Sequence, residues 1–150
     1  MATISSGDKI LVDKLRDFLR DRAELNTLLE REESTDQDLY QYLLDGMDYI
    51  NSEVGFQTSY TISSFPSWKI LRDAATMQML LSAGIGSARN TLTYNDSGGI
   101  TVQDSDVYGR YVNYYNMLTN VVRTAVTNFK VQYNLENGFS GVESAFSTVW

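Results

Sequence analysis

The chain has 150 residues, 43% of them hydrophobic and 21% charged, with one proline, no cysteine and no histidine. That length and balance predict one globular unit able to bury roughly 70% of the surface its unfolded chain exposes. Without cysteine or histidine, thiolate nucleophiles, zinc–thiolate sites, iron–sulfur clusters and the commonest general base are excluded. A net charge of -7 argues against binding nucleic acid by neutralising phosphates. Met1 to Ser6 lack a basic region, so no secretory leader is expected, and no run approaches the eighteen or so apolar residues of a membrane span.

Ile10, Leu11, Leu15, Phe18 and Leu19 recur at three-to-four spacing among charged residues, which predicts an amphipathic first helix. Ser5 and Ser6 offer N-caps, and Arg16 and Arg20 are expected on a solvated outer face with Asp13 and Asp17. This helix is expected to fray or bend between Ala23 and Leu29. Ser34, followed by Gln37 three residues later, has the spacing of a capping box and opens a second helix. Leu39, Leu43, Met47 and Ile50 form its inner stripe, and it should stop between Asn51 and Gly55.

From Val54 to Phe65 the pattern alternates only weakly and predicts a loop that could carry a short strand. Pro66 marks the start of a third helix, since a missing N–H costs nothing in a first turn. The stretch Trp68 to Ser87 is apolar nearly all round, which predicts a central helix surrounded by the others. Gly84 and Gly86 fit either a close helix crossing or a fraying end.

Two β-prone runs, Thr91 to Tyr94 and Ile100 to Val102, flank Asn95, Asp96, Ser97, Gly98 and Gly99, and predict a small inserted hairpin over about 91–102. A long last helix follows from about Asp106 to Asn134, and Asn137–Gly138 is its expected stop. Its stripe comprises Tyr108, Tyr111, Val112, Tyr115, Leu118, Val121, Val122, Ala125, Val126 and Phe129. The remaining tail is rich in Gly and Ser yet carries Phe139, Val142, Phe146, Val149 and Trp150, a pattern suited to docking on a partner. The expected fold is therefore mainly α: a bundle of about four helices over 1–136 with the inserted hairpin, and an extended C-terminal docking tail over 137–150.

The sequence offers no motif whose spacing suits catalysis or ligand binding. Asp36, Asp38, Asp45 and Asp48 fit no calcium loop and read as a solvated acidic face. Asn95-Asp96-Ser97-Gly98 lacks the other ligands of a calcium loop and reads as a turn. Gly84-Ile85-Gly86 follows a helix rather than a strand, so it cannot cradle a dinucleotide, and Ser67 and Lys69 are i,i+2 neighbours that point apart. The expectation is a protein that is not an enzyme and has no catalytic, cofactor or metal site. Ten tyrosines, four of them at Tyr108, Tyr111, Tyr114 and Tyr115, suit both core packing and subunit contact.

The succession of the amphipathic helix bearing Leu15-Arg16-Asp17-Phe18-Leu19-Arg20-Asp21, the capped helix Asp36 to Ile50, the apolar third helix, and the Arg89–Asn90 to Val102 segment before a long last helix resembles the head-to-tail adaptor proteins of tailed bacteriophages. The resemblance covers about Asp8 to Asn134 and rests on element order. It implies a structural virion protein of the head–tail neck, made in the host cytoplasm and assembled as a ring, commonly of twelve copies, below the portal. Its implied partners are the portal protein, neighbouring copies and a further neck or tail protein; DNA would pass without specific binding, and no membrane is involved. The tail residues Phe139, Val142, Phe146, Val149 and Trp150 would grip the portal or a neighbour. The hairpin residues Tyr94, Asn95, Asp96, Gly98, Gly99 and Ile100 would face the lumen or an adjacent ring. A baseplate or tail-completion protein and a non-viral helical interaction module are the alternatives.

Overall fold

A computed structural model describes residues 4–24, 32–52, 55–89, 94–95, 101–102 and 105–139. The protein is mainly helical, with α1 (Ser6–Leu19), α2 (Asp36–Ser52), α3 (Trp68–Arg89) and α4 (Ser105–Phe139). Two short segments, β1 (Tyr94–Asn95) and β2 (Thr101–Val102), pair antiparallel with Tyr94 opposite Val102 and Asn95 opposite Thr101. Helix α3 packs against both α2 and α4, and α1 packs against α2.

Helix α1 is opened by Ser5, whose hydroxyl accepts from the Asp8 N–H at 3.2 Å. It closes at Arg20, which takes a left-handed φ of 58° while the Asp21 N–H donates back to the Arg16 carbonyl at 3.1 Å. It therefore ends before the expected fraying zone, of which residues 25–29 lie outside the described ones. The buried face is also turned from the expected one: Val12, Leu15 and Arg16 are buried, whereas Ile10 and Phe18 are exposed. The cause is Arg16, whose guanidinium is drawn inward by carboxylates rather than solvated.

Thr35, not Ser34, caps α2. Its hydroxyl accepts from the Asp38 N–H at 3.2 Å, and the Asp38 carboxylate accepts the Thr35 N–H at 3.0 Å, a reciprocal box one residue later than the spacing of Ser34 and Gln37 suggested. The expected inner stripe is found: Leu39, Leu43, Met47 and Ile50 are all buried. Gly46 lies on the same face, at the closest approach of α2 to α3. A Cβ there would sit 2.8 Å from the Ala75 nitrogen and 3.1 Å from the Ala74 carbonyl carbon.

The connection from α2 to α3 is a loop without a strand among its described residues. Asn51 organises it, donating from Nδ2 to the Tyr60 carbonyl at 2.8 Å and accepting at Oδ1 from the Thr58 hydroxyl at 2.8 Å and the Tyr60 N–H at 3.1 Å. Ile62 and Phe65 are buried, and the Phe65 ring meets Phe129 edge-on with centroids 5.1 Å apart. Pro66 precedes α3 by two residues, and the first-turn N–H of Leu71 reaches the Ser67 carbonyl at 3.2 Å.

Helix α3 is central only in its first half. Leu71, Ala74, Ala75 and Met77 are buried, but Leu81 and Ile85 are exposed. An apolar sequence all round did not bring neighbours to every side. Gly84 is buried and serves the α3–α4 contact, since a Cβ added there would lie 3.6 Å from the Tyr111 Cβ, while one added at Gly86 would meet nothing within 4 Å among the described residues outside its own helix backbone. Helix α4, at about 1.5 Å per residue, is roughly 50 Å long. It runs on through Asn137 and Gly138 to Phe139, past the expected stop, because one late glycine costs only about 1 kcal/mol of helix propensity. Of its expected stripe, Val122 and Val126 are buried, while Val121 and Tyr108 are exposed.

Candidate assembly surfaces

Two buried ionic groups fix how the helices meet. Arg16 is 2% exposed and donates from Nη1 to the Asp21 carbonyl at 3.1 Å. The same nitrogen lies 3.3 Å from the carboxylates of Asp21 and Glu32, and Nη2 donates to Asp36 at 2.8 Å. Asp21 in turn accepts the N–H groups of Glu33 at 2.6 Å and Ser34 at 3.0 Å. A buried guanidinium needs several oxygens to offset its lost hydration, and here both ends of the α1–α2 connection supply them.

Lys130 plays the corresponding part at the other end of α2. Its ammonium donates to the Phe56 carbonyl at 2.7 Å and the Asn51 carbonyl at 3.4 Å, and burial pushes its pKa below the ordinary lysine value. Helix α2 has no basic residue in its own last turn, so a lysine from α4 supplies positive charge to its carbonyl end. Around this point Tyr60, Phe65, Phe129 and Tyr133 pack edge-to-face or stacked, with centroids 5.1 to 6.3 Å apart. Burial, followed by a hydrogen bond with Tyr133, raises the Tyr60 pKa. Asp17 on the exposed side of α1 is held below its ordinary value by its hydrogen bond from Arg22.

The acidic residues of α2 do not converge. Asp36 is bound by Arg16, Asp38 caps the helix, and Asp45 accepts from Gln41 at 2.8 Å. No group of three or more Asp, Glu, His or Cys side chains could hold a metal ion among the described residues.

The notable surface is apolar. At the C-terminal half of α3, Leu80, Leu81, Gly84 and Ile85 face Tyr108, Tyr111, Val112 and Tyr115 of α4 across an open cavity of about 80 Å³. Phe65, just before α3, packs on Phe129, whereas Gly84 near its end faces Tyr111, so the two helices run antiparallel. Clefts for drug-sized ligands run to roughly 300–1,000 Å³, so this one has room for a side chain from another molecule. Leu81, Ile85 and Tyr108 on its rim are 40%, 51% and 46% exposed. A second apolar surface lies on the opposite side of α4, where Tyr114, Met117, Val121, Val131 and Leu135 all stand in solvent. Neither surface was singled out in the sequence as a site. Positions 117, 131 and 135 fall on the face of α4 turned away from Val126, whereas Val121, expected in the inner stripe, is exposed.

The residues singled out from the sequence are placed only in part. Tyr94 and Asn95 form β1, whereas Asp96, Gly98, Gly99 and Ile100 of the expected hairpin lie outside the described residues. Phe139 is the last residue of α4, so it belongs to a helix and not to an extended tail. Val142, Phe146, Val149 and Trp150 lie outside the described residues.

The chain matches no family model, no curated protein and no solved structure. No helix is long and apolar enough to cross a membrane among the described residues.

Proposed function

We propose that this protein is a structural component of a virion, a head-to-tail adaptor that forms a ring below the portal, extends the DNA channel and joins the capsid to the neck or tail. The observation that carries the reading is the pair of separate apolar surfaces left exposed on a small acidic helical protein. Closed rings are built from heterologous contacts, in which one patch of a subunit meets a different patch of the next. The α3–α4 cavity rim and the outer face of α4 are two separate patches open to contact, and a ring needs at least one of them to meet a different surface of the next copy. Exposed apolar area of this kind marks interaction surfaces on soluble chains.

The charge suits the same role. Twelve copies at -7 would carry a large negative charge, and an acidic channel wall repels DNA phosphates and lets the genome slide. In this reading the segment bearing Tyr94, Asn95, Asp96, Gly98, Gly99 and Ile100 is a projecting hairpin facing the lumen or an adjacent ring. The residues after α4, with Val142, Phe146, Val149 and Trp150, dock on the portal or on a neighbouring copy, and Phe139 leads into them from the helix.

Cryo-electron microscopy of the particles that contain this chain tests the reading. A ring of it on the portal axis, with the segment near Trp150 against the portal, is the expected result. A position elsewhere in the particle, or no particle at all, would overturn the adaptor reading.

A further inference from the structure

On α4 the outward residues Tyr114, Met117, Val121, Thr124, Asn128, Val131 and Leu135 follow one another at alternating spacings of three and four. That is a heptad seam with Tyr114, Val121, Asn128 and Leu135 at its a positions and Met117, Thr124 and Val131 at its d positions. All seven are exposed, the five apolar ones by 46% to 56%. The stripe that serves the core, including Val122, Val126 and Lys130, lies on the other side of the same helix. One helix thus carries two apolar stripes, and among the described residues the fold uses only one.

We infer that the outer face of α4 is a coiled-coil seam that takes α4 of a second copy of this chain. Three features select that occupant. The first is the register: a strict heptad spacing suits a partner helix, and the match of polar to polar and apolar to apolar layers suits an identical one. The second is Asn128, a polar residue at an a position, which in coiled coils fixes register and partner number at a cost in stability. The third is charge. Between Asp106 and Glu136 the sequence of α4 has no carboxylate, and the residues flanking the seam on one side are Asn113, Asn120, Thr127 and Asn134. Copies that each carry -7 repel one another, and this is a surface on which they meet without opposing acids.

The seam does not depend on the adaptor reading. A two-fold pair of helices does not close a ring by itself, so if the protein is an adaptor, the pair is a unit that the α3–α4 cavity rim links onward.

Sedimentation of the purified full chain at micromolar concentration tests the seam without any particle. The wild type is expected to sediment as a dimer or larger species. Val121→Asp, which places a charge in the seam at an exposed position, should weaken association by about 100-fold or more with its far-UV circular dichroism unchanged. Val131→Asp should act alike and decides the matter if the first variant fails to fold. Asn128→Leu should tighten association and broaden its stoichiometry, an effect that a merely solvated asparagine would not give. A monomeric wild type would overturn the inference, as would assembly unchanged by both aspartate variants. A ring seen in particles together with a monomeric free chain would remove the seam and leave the adaptor reading standing.

Discussion

Adding one methyl group at Gly46 should destabilise this protein, although alanine is the better helix former. The Cβ of Gly46→Ala would lie 2.8 Å from the Ala75 nitrogen, 3.1 Å from its Cα and 3.1 Å from the Ala74 carbonyl carbon. Carbon atoms in favourable contact sit about 3.5–4.0 Å apart, and all three neighbours are backbone, which cannot swing aside as a side chain would. Helix α2 would therefore have to move off α3 by roughly half an ångström, loosening Leu43, Met47 and Ile50 against Leu71 and Ala74. Overpacking of this kind typically costs about 1–3 kcal/mol, and a backbone clash falls at the upper end. Relief of the glycine propensity penalty returns about 1 kcal/mol, leaving a net loss of about 1–2 kcal/mol. Gly86→Ala is the internal control: it lies in α3 with nothing within 4 Å, so only the propensity acts, and it should stabilise by about 0.5–1 kcal/mol. Urea unfolding followed by far-UV circular dichroism would resolve the two, since slopes of about 1–3 kcal/mol per molar urea turn their difference into roughly a molar shift of midpoint. If Gly46→Ala matched or exceeded the wild type, the close crossing of α2 on α3 would be refuted.

Three further perturbations test the buried polar groups. Arg16→Met should cost about 3–5 kcal/mol, because it leaves the Asp21 carboxylate buried without its guanidinium; a thermal midpoint within a few degrees of the wild type would contradict this. Lys130→Met should cost about 1–3 kcal/mol by stranding the Phe56 and Asn51 carbonyls, and amide exchange in residues 55–60 should accelerate while α1 is unaffected. The Tyr60 phenol has a folded pKa raised above its ordinary 10.0, so its contribution is fully present below about pH 10 and is lost as pH rises through the folded value. Tyr60→Phe should accordingly flatten the alkaline limb of the stability profile; an unchanged limb would assign that limb to other groups.

Four helices, their order and most of the core were legible in the sequence, because three-to-four periodicity reports which residues share a face. Leu39, Leu43, Met47 and Ile50 are the clearest case, and all are buried. Helix ends were less legible. Thr35 and Ser34 are equally good caps in sequence, and only the reciprocal bonding of Thr35 with Asp38 chose between them. The run through Asn137 and Gly138 shows the same weakness, since an end signal worth about 1 kcal/mol is easily outweighed.

Periodicity states that a face is apolar but not what covers it. By itself the sequence determined a mainly helical, acidic chain without cysteine or histidine chemistry, since composition and local spacing act residue by residue. Tertiary structure decided that Arg16 turns inward while Ile10 and Phe18 face out, because three carboxylates separated in sequence converge on one guanidinium. It decided that Lys130 closes the end of α2 from 79 residues away. It also decided that α4 spends one apolar stripe on its own core and presents the other to solvent, because α3 can lie along only one side of it.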